Sequence, residues 1–77
     1  MGMILVKFAE RNNPIKVNGY DTQLTRERVA WCNETMGGYG FNWRYEWLYD
    51  YNTIQYSMWY FANEKDATMF ALKWGNL

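Results

Sequence analysis

The sequence predicts an α+β two-layer sandwich, and three segments carry that prediction. Residues 41–51 put an aromatic side chain at every odd position (Phe41, Trp43, Tyr45, Trp47, Tyr49 and Tyr51), the period of a strand with one strongly apolar face. Residues 63–75 run from a capping Asn63 through Glu64 and Asp66 to Lys73 and Gly75, with Ala67, Phe70, Ala71 and Trp74 on one helical stripe. Val29, Cys32 and Met36 form a second helical stripe, closed by Gly37-Gly38.

The remaining elements follow in chain order. Residues 3–10 alternate Ile4, Val6 and Phe8 on one side and predict a strand, broken by Arg11-Asn12-Asn13-Pro14. Ile15-Lys16-Val17 ahead of Asn18-Gly19 predicts one arm of a small hairpin, with Tyr20-Asp21-Thr22 returning. The first helix is expected to start at a Thr25 N-cap, with Leu24 and Val29 as a hydrophobic staple. Trp31 lies at the flank of its stripe; Met69 and Leu72 should widen that of the last helix.

A second long strand is expected over about residues 53–61. A three-residue loop, Asp50-Tyr51-Asn52, would pair Tyr49 with Thr53, Trp43 with Trp59 and Phe41 with Phe61. Arg44, Glu46, Tyr56, Met58 and Tyr60 then share the opposite face. A two- or four-residue loop would set the tryptophans against Tyr56 and Met58 instead. The succession is that of a ferredoxin-like β-α-β-β-α arrangement without its usual last strand, with an antiparallel sheet and both helices on one face.

Composition bounds the function. The 77 residues make one domain, 1–77, with Met1-Gly2 read as an expression scar before Met3. Eight basic side chains balance eight acidic ones, which argues against a dedicated nucleic-acid binder. The split is five basic and three acidic over residues 1–28, then three and five over 29–77, too small to define a patch. One cysteine and no histidine leave no intrachain disulfide and no ordinary zinc site. No segment reaches the roughly 18–20 apolar residues of a membrane span, and Ile4-Leu5-Val6 is too short for a signal peptide. Asn33-Glu34-Thr35 fits a glycosylation sequon, but without an export signal a reduced, cytoplasmic setting is expected.

The routes to catalysis are few. Cys32 has no histidine to activate it and sits on the Val29–Met36 stripe, where a buried apolar role is expected. Glu46 with Asp50 is the one carboxylate pair that keeps an enzyme in view; Glu64 and Asp66 fit a helix N-terminus. Gly37-Gly38-Tyr39-Gly40 follows a helix and precedes a strand, the reverse of a phosphate loop, so its glycines serve backbone geometry. No enzyme, metal or cofactor is expected.

Two resemblances add to this reading. Tyr56-Ser-Met-Trp-Tyr-Phe-Ala-Asn-Glu-Lys-Asp-Ala67, with Phe70 and Ala71, resembles the third strand and second helix of an RNA-recognition motif, Tyr56 matching a stacking aromatic. Ile54, Gln55 and Met58 depart from that family's basic, glycine and aromatic positions, so the resemblance implies shared sandwich geometry. Trp31-Cys32, Gly37, Gly40, Trp43, Tyr60-Phe61, Asp66-Ala67 and Phe70-Ala-Leu-Lys-Trp74 resemble small proteins recurring in marine phages and ocean metagenomes. That pattern implies a phage-related origin and a host-cell cytoplasm, and it brings no activity with it.

Sixteen aromatics, with the aliphatic residues besides, exceed what two helices cover on one sheet face. The surplus predicts an exposed patch, and such a patch marks an interface. Arg44, Glu46, Tyr56, Met58 and Tyr60 are the candidate interaction surface. The expected function is a small interaction module that self-associates, as a dimer first, through that face or an open edge strand. A host or viral protein is a further partner. The alternative, from another class, is single-stranded nucleic-acid binding through Tyr56, Met58, Tyr60 and Arg44, with Lys16 on phosphate.

Overall fold

The computed structural model describes residues 11–49 and 55–75. The strand expected over residues 3–10 and the turn expected at 50–52 lie outside them. Strand β1 (Ile15–Asn18) leads into helix α1 (Thr22–Met36), followed by strands β2 (Trp43–Tyr49) and β3 (Gln55–Phe61) and helix α2 (Glu64–Trp74). The class is α+β, with a three-stranded antiparallel sheet in the order β1-β3-β2. The expected succession begins with a strand at 3–10; the described sheet begins instead with Ile15–Asn18.

That strand corrects the predicted hairpin. Its residues pair with β3, Ile15 opposite Trp59 and Val17 opposite Ser57, and not with Tyr20-Asp21-Thr22. Gly19, at φ +90°, turns the chain off the sheet edge while its N–H donates to Gln55 O at 3.1 Å. The chain enters α1 three residues later. Asp21, not Thr25, is the N-cap: its Oδ1 accepts the Leu24 N–H at 2.9 Å. Thr25 lies one turn inside, buried, its hydroxyl donating to Asp21 O at 2.7 Å. Leu24, the residue expected to staple, is correspondingly exposed.

The far end of α1 ends as the glycines predict. Gly37 takes φ +93°, and the chain folds back so that Asn42 Nδ2 donates to Met36 O (2.7 Å) and Trp43 Nε1 to Gly37 O (2.9 Å). Two side chains thus satisfy carbonyls that a helix end leaves open. In α2 the N–H groups of Asp66 and Ala67 donate to Asn63 O, Glu64 and Asp66 occupy the first turn, and Gly75 closes the helix at φ +74°. Leu72 is exposed and does not widen the stripe; Met69 does.

The β2–β3 register differs from the prediction by two residues. Trp43 faces Phe61, Tyr45 faces Trp59 and Tyr49 faces Gln55, so Phe41 stands outside the strand, exposed. A slip of two keeps every side chain on its predicted face, because strand side chains alternate with period two. The odd-numbered face meets both helices: Val17, Trp43, Trp59 and Phe61 pack with Cys32 and Met36 of α1 and Ala67 and Phe70 of α2. Trp59 is the centre, its ring stacked near Tyr45 (4.5 Å), Phe70 (5.0 Å) and Trp43 (5.9 Å). Trp31 ties the helices together through Phe70 and Trp74.

Candidate interaction surface

The five residues singled out from the sequence do share one face, on the side of the sheet away from the helices. The register sets Tyr56 between Asn18 and Leu48, Met58 between Lys16 and Glu46, and Tyr60 beside Arg44. Arg44, Glu46, Tyr56 and Met58 are half-buried. Tyr60 is not available for stacking: it is 4% exposed, and its hydroxyl donates to Glu46 Oε2. Burial, with the Glu46 carboxylate as acceptor, raises the phenol above its ordinary value. Glu46 also lies 3.7 Å from Arg11, and Lys16 Nζ sits 4.4 Å above the Tyr56 ring. The polar groups of this face are largely turned on one another.

Cys32 is fully buried, and burial with Asp66 nearby pushes its thiol up to about 12. At neutral pH it is a protonated packing group and not a nucleophile. Of the pair Glu46–Asp50, Asp50 falls outside the described residues. Among the described residues no cluster of three metal-ligating side chains occurs, and no helix is long and apolar enough to cross a membrane.

A second surface, less visible in the sequence, lies along the outer edge of β2. Ala62 N–H donates to Asn42 O (2.8 Å), Gly19 N–H to Gln55 O, and Phe61 N–H to Asn12 O. These bonds fix the ladder's parity: even-numbered peptide groups of β2 face β3, and odd-numbered ones face outward. Two outward carbonyls are covered by the preceding loop, Trp43 O accepting from Gly40 N–H (2.7 Å) and Tyr45 O from the Tyr39 hydroxyl (3.0 Å). Beyond Tyr45 the cover stops. Among the described residues nothing bonds to the N–H or C=O of Trp47.

Aromatic rings follow that edge. Tyr39 stands edge-on to Trp43 and Tyr45, Tyr45 to Trp47, and Tyr20 tilts against Trp47 at 5.0 Å. Tyr20, Tyr39 and Tyr49 are exposed, Tyr49 most of all at 67%. Thr22, Thr25 and Arg26 of α1 complete a cleft of about 180 Å³ against Tyr45 and Trp47. The run of odd-numbered aromatics predicts a core face. It does not show that the core ends at Trp43 and Trp59, leaving Tyr45, Trp47 and Tyr49 progressively towards the rim. Comparison with protein-family models, with curated proteins and with solved structures finds no match for this chain.

Proposed function

We propose that this chain is a small non-enzymatic interaction module that associates with itself through the outer edge of β2. The supporting observation is that Trp47 backbone groups with no bond among the described residues coincide with the exposed rings of Tyr20 and Tyr49. Unpaired strand edges are templates for another strand, and flanking apolar rings add area that water leaves on pairing. Zero net charge puts no overall repulsion between copies. Light scattering after size exclusion at micromolar concentration should report a dimer; a monomer across that range overturns the proposal.

The nucleic-acid reading depends on Arg44, Tyr56, Met58 and Tyr60. It is the weaker of the two, because Tyr60 is buried and Lys16 already covers Tyr56. Salt-sensitive, saturable quenching of Trp fluorescence by an oligonucleotide would restore it. For the fold we infer a ferredoxin-like kinship, supported by β3 lying between β1 and β2 and by α1 and α2 packing on one core.

A further inference from the structure

We propose that the occupant of the β2 edge is a second copy of β2, antiparallel, related by a two-fold axis through Trp47, and that Tyr49 of each copy fills the cleft of the other. This rests on the self-association reading and adds its register. Among the described residues, the outward peptide groups of β2 with room for a partner run from Tyr45 to Tyr49, since Tyr39 and Gly40 already cover Trp43 and one lone pair of Tyr45 O. That stretch is centred on Trp47. A two-fold axis there pairs Trp47 with Trp47 of the second copy, each exchanging N–H and C=O, and pairs Tyr45 with Tyr49 of the second copy on either side. An extended strand running past Tyr45 towards Trp43 would meet the loop, so a longer heterologous peptide fits less well.

The register also explains the cleft. Directly opposed residues of an antiparallel pair point to the same face with Cβ atoms roughly 5 Å apart. Tyr49 of one copy therefore projects beside Tyr45 of the other, on the face that carries α1. Tyr45 lines the cleft there with Trp47, Thr22, Thr25 and Arg26. Its volume, about 180 Å³, accepts a phenol ring, and Arg26 supplies a cation to lie against it. The most exposed aromatic side chain among the described residues and the cleft are thus brought together by this pairing. Two sheets of three strands become one of six, with the helices of both copies on the same side.

Disulfide trapping tests the register separately from the association. In a Cys32→Ala background, Trp47→Cys and Tyr49→Cys are each exposed to oxidised glutathione. The pairing puts the two residue-47 Cα atoms about 5.5 Å apart, within disulfide reach, and the two residue-49 Cα atoms roughly 14 Å apart, beyond it. At concentrations where light scattering shows both variants dimeric, the expected result is covalent dimer from Trp47→Cys at least tenfold faster than from Tyr49→Cys, with Tyr49→Ala weakening the wild-type dimer at least tenfold. A wild-type dimer in which Trp47→Cys crosslinks no faster than Tyr49→Cys overturns this register and leaves self-association standing. A wild-type monomer overturns both. Should Trp47→Cys not fold, a mixture of Tyr45→Cys and Tyr49→Cys proteins, which the pairing also joins, reads the same register by hetero-crosslink.

Discussion

Replacing Trp59 by Ala tests the packing most directly. The ring is fully buried and stacked against Tyr45, Phe70 and Trp43, and its Nε1 donates to Ser57 Oγ at 2.8 Å. Truncating a buried aromatic to Ala costs about 3–5 kcal/mol. Ser57 is itself buried, so an acceptor stripped of its donor adds about 1–3 kcal/mol. A chain of 77 residues has about 4–12 kcal/mol of stability in all. Trp59→Ala should therefore sit at or beyond the unfolding threshold. Trp59→Phe retains most of the stack but leaves the same acceptor orphaned, and should cost about 2–4 kcal/mol. Adding Ser57→Ala to Trp59→Phe should recover about 0.5–1 kcal/mol, because the orphaned hydroxyl is gone. Urea unfolding followed by far-ultraviolet circular dichroism, at one fixed protomer concentration, reads all three. A loss below about 1.5 kcal/mol for Trp59→Ala would refute Trp59 as the centre of the core.

Other outcomes follow from single contacts. Asp21→Ala should cost about 1 kcal/mol and lower helicity, whereas a Thr25 cap would leave Asp21 dispensable. Gly37→Ala should destabilise by about 1–2 kcal/mol in thermal melts, since it combines positive φ with a Cβ 3.1 Å from Asn42 Nδ2. Gly38→Ala meets nothing within 4 Å and should be neutral. The buried Cys32 thiol has its pKa raised from 9.0 to about 12, so the folded chain holds a proton that the unfolded chain releases. Its contribution is complete below pH 9 and declines as pH rises towards 12: the urea midpoint of the wild type should fall between pH 7 and 10.5 more than that of Cys32→Ala. Alkylation of native Cys32 at pH 8 at a free-thiol rate would contradict its burial.

How much of this is legible in the sequence depends on the range of the interaction. The period-two run through Trp43, Tyr45, Trp47 and Tyr49 identifies β2 and its faces, because side-chain alternation is a local property. The same alternation is blind to a slip of two, so only turn chemistry could set the register. The observed pairing leaves residues 50–54 between the paired ends, two more than the loop expected. The start of α1 is misplaced for a related reason. Asn18-Gly19 is a strong hairpin signal, and a return arm of Tyr20-Asp21-Thr22 leaves Asp21 no place as a cap. The chain instead pairs Ile15–Asn18 with residues 56–59, some forty positions away, where no local pattern reaches.

The candidate surface departs from expectation by a different route. A two-layer sandwich has no element covering the face opposite the helices, so surplus aromatic area is expected there. Charge and hydroxyl groups change that accounting: Tyr60 donates its hydroxyl to Glu46, and Lys16 lies over Tyr56, so polar groups of the same face already occupy two of its aromatic side chains. The odd-numbered face has the pattern of pure core, yet β2 is an edge strand of the described sheet, and a core narrows towards its rim. Which strand is outermost follows from the pairing of β1 with β3, a long-range contact that composition does not encode. The Trp47 peptide groups, unbonded among the described residues, belong to the backbone, and every residue type carries a carbonyl of that kind. The sequence can therefore announce that there is too much aromatic surface to bury. Only the strand order can say that the excess lies along the outer edge of β2, beside peptide groups that no other described residue bonds.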